Sequence, residues 1–395
     1  MKNVLGYSCL GLAALLAVSA PMFAQDEEQF PGIARPPIRV ISGPRPAASG
    51  PTGYTPAQMI TAYGFNLVAN QGAGQTIALI EAFDDANLEA DLGVFDTQFS
   101  LPDCTTANGC FTKIYATGTK PGSNKDWALE ESLDVEWAHA IAPQAKIMAV
   151  EAAGQGTSQL LSAVGVAVSN GATVVSMSFG IDEFSTETTA DGRFKTQHVV
   201  FVASSGDSGH GVFYPSASPY VVAVGGTTLN LDSNGVWESE TAWSCKSALS
   251  CELLGGSSGG QSAYEPEPAY QNGVQSSGKR GVPDVAYDAN PSTGVPIYDS
   301  GDGGWVQVGG TSMGSPQWAA LFAIANSMRV ADGKANLTKP QQYLYGHAET
   351  DFHDITSGSN GTCGALCTAG TGYDYVTGVG SPQANLIIPA LVAEP

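Results

Sequence analysis

Short apolar runs alternate with stretches of helical spacing between residues 76 and 224. The apolar runs are Thr76–Glu81, Lys146–Glu151, Ala172–Ser178, Val199–Ala203 and Tyr220–Val224. The helical stretches are Ala86–Phe99, Trp127–Ile141 and Ser158–Val168. Strands that are apolar on both faces and alternate with helices are typical of a parallel sheet covered on both sides. The pattern therefore predicts an α/β fold with a doubly wound, mostly parallel sheet and helices on both faces. Residues 226–304 and 331–395, which are rich in glycine, are expected to add long loops.

Residues 1–52 lack this pattern. Residues 1–24 combine Lys2, an apolar stretch and small residues near Ala24, which predicts a secretory signal. Residues 25–52 are rich in proline and are interpreted as an extended linker or tail. Thr55 and Pro56 predict the N-cap and first turn of a helix that ends near Gly64. We therefore expect one large domain over residues 53–395.

The charge balance excludes two classes of partner. The chain of 395 residues has 37 acidic and 16 basic side chains, a net charge of −21, and only 13% of its residues are charged. Such a surface repels nucleic acid and anionic membranes. No stretch after the signal has the roughly 18 consecutive apolar residues of a membrane-spanning helix, so we expect no membrane span.

Six of the seven cysteines fall as close pairs. The pairs are Cys104 with Cys110, Cys245 with Cys251, and Cys363 with Cys367. In an exported protein such pairs predict local disulfides that close surface loops. The alternative is a metal site, but no pair has the Cys-x-x-Cys spacing followed by histidines.

The segment Gly309–Pro316 joins a short apolar strand to a long apolar run. Its glycines allow a tight turn and a close approach to a ligand, and Pro316 suits the first turn of a helix. This arrangement puts the Ser312 hydroxyl at a helix N-terminus, where the local field favours negative charge. Ser312 is therefore a candidate nucleophile, although a lone Gly-x-Ser is more often a turn with an N-cap serine.

Glu130 and Asp134 are four residues apart in the helical stretch from Trp127 to Ile141, so they share one helix face. Like charges at this spacing repel, and two carboxyl groups that are partly buried together share one proton. The alternative is a solvated acidic stripe, because Glu131 and Glu136 are acidic as well. Apolar neighbours on the same helix favour burial of the pair.

Asp207 lies in Ser205-Gly-Asp-Ser-Gly209, directly after the strand Val199–Ala203. An aspartate in this position is either a turn-former or a side chain aimed into a cleft. In parallel sheets, ligands bind beyond the carboxyl ends of the strands. Asp207 and the Ser312 turn both follow predicted strands, so they can converge on one edge of the sheet.

Together these motifs resemble the sedolisin (serine-carboxyl) peptidase family, whose fold is similar to that of subtilisin. The resemblance covers roughly residues 53–395. The matching segments are Gly310-Thr-Ser-Met-x-x-Pro316, Glu130-x-x-x-Asp134, Ser205-Gly-Asp-Ser-Gly209, Thr55-Pro-Ala-Gln58, Ala62-Tyr-Gly-Phe65, Arg280-Gly-Val-Pro-Asp-Val285, Phe352-His-Asp-Ile355, Gly370-Thr-Gly-Tyr-Asp374 and Thr377-Gly-Val-Gly-Ser-Pro382. The order and number of these motifs make the resemblance specific.

The resemblance implies a role for each candidate residue. Ser312 would attack the scissile carbonyl, Glu130 would be the general base, and Asp134 would hold and polarise Glu130. Asp207 would complete the oxyanion hole with the backbone N–H of Ser312. A carboxyl that donates a hydrogen bond must be protonated, so the resemblance implies activity in acid. The implied protein is a secreted endopeptidase that acts on protein or peptide substrates. We expect it to be a monomer.

The resemblance also implies a structural calcium site in a C-terminal loop. Asp354 and Asp374 would supply carboxylate oxygens, and Ile355, Gly370 and Gly372 would supply backbone carbonyls. Hard oxygen donors of this kind suit Ca²⁺. Taken without the resemblance, Asp354 and Asp374 would be ordinary turn residues.

The chain departs from the family pattern in two places. Members usually carry a large folded pro-domain, and the residues between the signal and Thr55 are too few for one. Phe179 stands where many members have tryptophan, so an indole donor to the carboxyl network is missing. Glu81, at the end of its strand, is expected to support that network.

Three alternative functions stay open. A subtilisin-type Ser-His-Asp enzyme would need a His-Gly-Thr segment, which is missing, and His139, His210 and His353 are expected to be surface or loop residues. Removal of N-terminal tripeptides also occurs in the family. An inactive secreted relative that serves as a binding module is the third.

Overall fold

The computed structural model describes residues 1, 30–245 and 255–395. Its helices are α1 (Pro56–Ala62), α2 (Leu88–Phe99), α3 (Lys125–Ile141), α4 (Thr157–Ser169), α5 (Glu187–Ala190), α6 (Gly314–Ala331), α7 (Gln341–Leu344) and α8 (Ala384–Ala393). Its strands in the first half of the chain are β1 (Arg39–Arg45), β2 (Thr76–Ala82), β3 (Phe111–Tyr115), β4 (Lys146–Ala152), β5 (Val174–Met177), β6 (Ile181–Asp182), β7 (Val200–Ser204), β8 (Ser208–His210) and β9 (Phe213–Tyr214). The later strands are β10 (Val222–Leu231), β11 (Trp237–Ala242), β12 (Gly256–Pro266), β13 (Lys279–Val282), β14 (Val285–Asp288), β15 (Val295–Asp299), β16 (Gly304–Gly309), β17 (Phe352–His353) and β18 (Ser381–Pro382). The predicted signal, apart from residue 1, lies outside the described residues.

The central sheet has the strand order β11-β10-β7-β5-β2-β4-β3, and β14 also pairs with β10. All of these pairings are parallel except the one between β10 and β11. Alternate residues of β2 enter two separate cores: Ile77 and Leu79 face one, and Ala78 and Ile80 face the other. A strand that is buried on both faces needs helices on both sides.

Helices cover both faces of this sheet. The first core contains apolar side chains of α2, α3, α6 and α8, whereas the second contains those of α4. The prediction of a doubly wound, mostly parallel sheet is therefore confirmed. Within the described ranges, no helix is both long enough and apolar enough to cross a membrane.

The structure differs from the predicted loops in two segments. Strands β11 to β15 lie within residues 226–304, and β1 lies within the segment interpreted as a linker or tail, where it pairs antiparallel with β16. Strand β12 has the sequence GSSGGQSAYEP, and its glycines and serines are buried without an apolar pattern. Hydrophobic periodicity therefore gives no signal for it.

Two of the predicted disulfides are confirmed, Cys104–Cys110 and Cys363–Cys367. His139 lies near the first pair and His210 near the second. A sulfur in a disulfide is not a thiolate and cannot bind a metal as one, so the alternative of a metal site at these pairs fails. The third predicted pair includes Cys251, which lies outside the described residues.

Candidate active site

The Ser312 turn begins where β16 ends. Gly310 has a φ of 115°, and a Cβ there would lie 2.1 Å from the Pro37 carbonyl oxygen and 2.7 Å from Oδ2 of Asp207. Only glycine fits this turn. A short 3-10 turn over Thr311–Met313 then leads into α6, with the Ser312 side chain fully buried.

Helix α3 carries Glu130 and Asp134 into the same region. Asn124 caps this helix by accepting hydrogen bonds from the N–H groups of Asp126 (3.0 Å) and Trp127 (3.2 Å). Glu130 and Asp134 lie one turn apart and are both fully buried. The alternative of a solvated acidic stripe is therefore excluded for this pair.

Burial decides the protonation of the pair. It raises the pKa of Glu130 well above its usual value, the charge of Asp134 raises it further, and the nearby Ser312 hydroxyl lowers it. Burial also raises the pKa of Asp134 to about 7, against a hydrogen bond of 2.8 Å from Ser178 Oγ to its Oδ1. Two buried carboxyls this close hold a proton between them into the neutral range.

The Ser312 hydroxyl and the Glu130 carboxyl are neighbours without forming an aligned hydrogen bond. Among the described residues, neither Oγ of Ser312 nor either carboxylate oxygen of Glu130 has a hydrogen-bond partner. Nucleophile and base are often loosely aligned in free enzymes and tighten when substrate binds. The pair can therefore exchange a proton after a small adjustment.

Asp207 is bound directly to the Ser312 turn. Its Oδ1 accepts hydrogen bonds from the Thr311 N–H (2.8 Å) and the Thr311 hydroxyl (3.0 Å). The Gly206 N–H donates to the same hydroxyl at 3.0 Å. Burial raises the pKa of Asp207 to about 7, whereas the bonds from Thr311 and the charge of Arg39 lower it. At acidic pH the Asp207 carboxyl is therefore protonated.

Glu81 adds a further carboxyl behind Asp134. It lies in β2, near its end, and is fully buried. Burial is the largest cause that raises the pKa of Glu81, and the charges of Asp134, Glu131 and Glu130 raise it further. Phe179 is also fully buried, and its ring offers no donor to this network. The network therefore consists of carboxyl groups, with Ser178 as a hydroxyl donor.

The structure brings Ser312, Glu130, Asp134 and Asp207 together, although they lie far apart in the sequence. Sequence reasoning missed the residues that hold them, Ser178, Thr311 and Arg39. Ser178 follows β5, and Thr311 directly precedes the candidate nucleophile. Their positions, at the end of a strand and next to the serine motif, could have identified them from the sequence. No sequence signal identified Arg39, because it lies in the segment interpreted as a linker.

The histidines have other surroundings. His139 lies 2.8 Å from the Pro102 carbonyl oxygen, and His353 stacks on Trp237 with ring centroids 3.9 Å apart. All five histidines lie in the described part of the chain, and none hydrogen-bonds to the Ser312 hydroxyl. The expectation that His139 is a surface or loop residue is wrong, because it is buried within α3. A Ser-His-Asp arrangement is not formed.

Two hydrogen bonds connect four of the residues of the implied calcium site. The Gly370 N–H donates to Oδ2 of Asp374 and the Gly372 N–H to Oδ2 of Asp354, both at 3.0 Å. Burial raises the pKa of Asp374 to about 6, against hydrogen bonds from Gly370 and following residues. Ile355, which follows Asp354 in the chain, is buried. The atoms that could bind a metal ion here are carboxylate and carbonyl oxygens, which fit a hard cation.

Known proteins are similar to this chain in both sequence and fold. A family model described as the subtilase family (Peptidase S8) matches residues 115–348. The chain is 32% identical over 375 residues to sedolisin of Pseudomonas sp. strain 101, covering 85% of this chain and 60% of that protein. It is 34% identical over 388 residues to kumamolisin of Bacillus sp. strain MN-32, covering 88% and 65%. The chain thus spans less than two thirds of the length of these curated relatives.

A solved structure supports the same assignment. Pseudomonas sedolisin, a serine-carboxyl proteinase complexed with two molecules of pseudo-iodotyrostatin, matches with a TM-score of 0.75 and 28% identity. The match covers 86% of this chain and 98% of that one. The chain therefore belongs to the subtilase family, and the relatives that it resembles over most of its length are sedolisins.

Proposed function

We propose that the chain is a secreted serine-carboxyl endopeptidase that hydrolyses peptide bonds in acid. The observation that carries this proposal is the meeting of Ser312 with a buried carboxyl pair on one side and Asp207 on the other. A secreted location is supported by the signal-like residues 1–24 and by two disulfides in surface loops.

The proposed mechanism moves one proton at each step. The Glu130–Asp134 pair enters the reaction with one proton, held on Asp134, so that Glu130 is the ionised partner. Ser312 Oγ adds to the substrate carbonyl carbon while Glu130 takes the hydroxyl proton, and Asp134 stabilises the pair that then carries two protons. The carbonyl oxygen becomes an oxyanion that accepts hydrogen bonds from the protonated Asp207 carboxyl and the Ser312 N–H. Glu130 then gives its proton to the leaving amine. Water releases the acyl group by the same route, with Glu130 again as the base.

Product analysis tests the mode of cleavage. We expect the full chain at about pH 4 to cut a denatured protein at internal bonds, because an endopeptidase needs no free substrate terminus. The fragments are identified by mass spectrometry, and a second sample with acetylated N-termini is the control. Release of tripeptides that stops on acetylation would contradict the endopeptidase proposal, and no products from either sample would favour a binding module.

We also infer that Asp354 and Asp374, with the carbonyls of Ile355, Gly370 and Gly372, hold one calcium ion. Bound calcium would supply no catalytic chemistry. It would neutralise the two carboxylates and hold the C-terminal loop to the turn that begins at Gly370. The pairing of Gly372 with Asp354 across the two loops supports this inference.

Removal of calcium is expected to lower thermal stability. A ligand that binds only the folded state stabilises it by about 2.7 kcal/mol when its free concentration is 100 times Kd. We expect EGTA to lower Tm by several degrees at neutral pH, and excess Ca²⁺, but not Mg²⁺, to restore it. Differential scanning calorimetry measures the change, and Asp374→Asn is expected to remove the response to EGTA. An unchanged Tm in EGTA would contradict the site.

A further inference from the structure

Four side chains from three segments meet at the disulfide between Cys104 and Cys110. Asp96 belongs to α2, His139 belongs to the last turn of α3, and the disulfide lies in the segment between α2 and β3. The Cys104 N–H donates to Oδ2 of Asp96 at 3.1 Å, and Nε2 of His139 is 3.5 Å from Oδ1 of the same aspartate. These four residues are here called the Cys104 cluster.

The imidazole of His139 is buried in this cluster with one nitrogen unpaired. His139 is fully buried, and Asp96 and Cys104 are each 1% exposed, whereas Cys110 is half-buried. Nε2 of His139 lies 2.8 Å from the Pro102 carbonyl oxygen. Because a carbonyl only accepts, the proton of the neutral ring lies on Nε2. Nδ1 then keeps its lone pair, and it has no hydrogen-bond partner among the described residues.

The cluster has the composition and the dimensions of a metal site. One ligand atom from each of Cys104, Cys110 and His139 lies within 4.8 Å of the other two. Two cysteine sulfurs and one histidine nitrogen form a known ligand set for Zn²⁺, which is tetrahedral and can keep water as its fourth ligand. A histidine that binds metal through one nitrogen typically donates from the other to a carbonyl or a carboxylate. Nε2 of His139 already does so, towards Pro102 and beside Asp96.

We propose that Cys104, Cys110 and His139 bind one Zn²⁺, or another divalent ion that prefers sulfur, once the disulfide is reduced. In the disulfide the two sulfurs bind no metal. A dithiol reductant breaks the S–S bond, supplies two electrons and two protons, and is itself oxidised to a disulfide. Metal binding then releases the two thiol protons to solvent, because the thiolate is the ligand. The two sulfurs must separate to about 3.8 Å, which follows from tetrahedral Zn–S bonds of about 2.3 Å.

The bound ion connects segments that the disulfide does not connect. The disulfide joins two residues of one short loop. The ion also joins this loop to His139 and therefore to α3, the helix that carries Glu130 and Asp134. The chain thus keeps a cross-link at this loop in reducing as well as in oxidising surroundings.

Cobalt spectroscopy tests the site, because Co²⁺ can replace Zn²⁺ and its bonds to thiolates give an intense charge-transfer absorption. The full-length Ser312→Ala variant, which avoids any self-hydrolysis, is reduced with dithiothreitol, freed of it under nitrogen and titrated with Co²⁺. We expect the charge-transfer band in the reduced chain and not in the oxidised chain. Asp96→Asn is expected to weaken Co²⁺ binding by roughly 10- to 100-fold, the usual loss for an outer partner of a ligand, and His139→Gln by more.

His210→Gln is the matched control. His210 lies near the Cys363–Cys367 pair as His139 lies near the first pair, so this substitution removes a histidine beside a disulfide but leaves the Cys104 cluster intact. We expect His210→Gln to keep the cobalt band and the affinity of the parent chain. The absence of a band in the reduced parent chain, or a band of equal affinity in His139→Gln, would overturn the proposal.

Thermal unfolding also decides the case in which reduction unfolds the chain. An ion that binds only the folded state stabilises it, and folding and metal binding are then coupled. We expect Zn²⁺ to raise the Tm of the reduced chain, or to restore its circular dichroism spectrum if reduction has unfolded it. His139→Gln should show neither effect. A reduced parent chain that responds to Zn²⁺ no more than His139→Gln does would refute the site.

Discussion

Replacing Ser312 by alanine is expected to lower kcat for peptide hydrolysis by roughly 10⁶-fold, the scale of loss when a nucleophile that acts as a unit with its base is removed. In the proposed mechanism, the substitution removes the oxygen that forms the acyl intermediate. It should leave the fold intact, because Oγ of Ser312 makes no hydrogen bond within the described residues. Initial rates on a denatured protein at about pH 4 measure the loss.

Ser315→Ala is the matched control. Ser315 lies three residues after Ser312, at the start of α6, and is equally buried; its hydroxyl is 2.8 Å from that of Ser176. Its loss removes one buried hydrogen bond, which costs about 1 kcal/mol of stability, but no reacting group. We expect Ser315→Ala to remain active. If Ser312→Ala hydrolyses the substrate as fast as Ser315→Ala does, another group is the nucleophile.

Much of the fold could be predicted from local sequence. The continuous apolar run in β2 predicts a strand buried on both faces, and the helical spacing that follows predicts α2. Residues Glu130 and Asp134 could be paired because helix periodicity alone puts them on one face. The local sequence pattern predicts a helix or strand correctly where that element buries its own apolar side chains.

The missed features depend on contacts between distant segments. Strand β12 is buried because Ser257 and Ser258 make hydrogen bonds to the chain around them, not because it is apolar. Ala34 and Arg35 are held by backbone hydrogen bonds to Gln155 and Gly180, and a backbone hydrogen bond has no side-chain signature. Arg39 reaches Asp207 only because the residues before it pass along the cleft lined by Gly180 and Asp207. None of these features could be inferred from periodicity.

The activity is expected to fall as pH rises through about 7, because in the proposed mechanism Asp207 must be protonated to donate a hydrogen bond to the oxyanion. Burial raises the pKa of Asp207 to about 7, so the donor is present throughout the acidic range and is lost above that pH. We expect kcat/KM to decrease about tenfold per pH unit on this limb, as for loss of one required proton. A pH–rate profile with a peptide substrate measures it.

Variants at position 207 test whether the Asp207 carboxyl donates a hydrogen bond to the oxyanion. Asp207→Asn keeps a donating amide at every pH, so its rate should no longer follow this limb, whereas Asp207→Ala should lose roughly 10² to 10³ in kcat even in acid.

The pKa values of Glu81, Glu130 and Asp134 are also raised in the folded state. Their stabilising contribution is fully present below the unfolded pKa of about 4 and is lost as pH rises. Circular dichroism at each pH must therefore show a folded protein. Full activity of Asp207→Ala at pH 8 would contradict the role of Asp207.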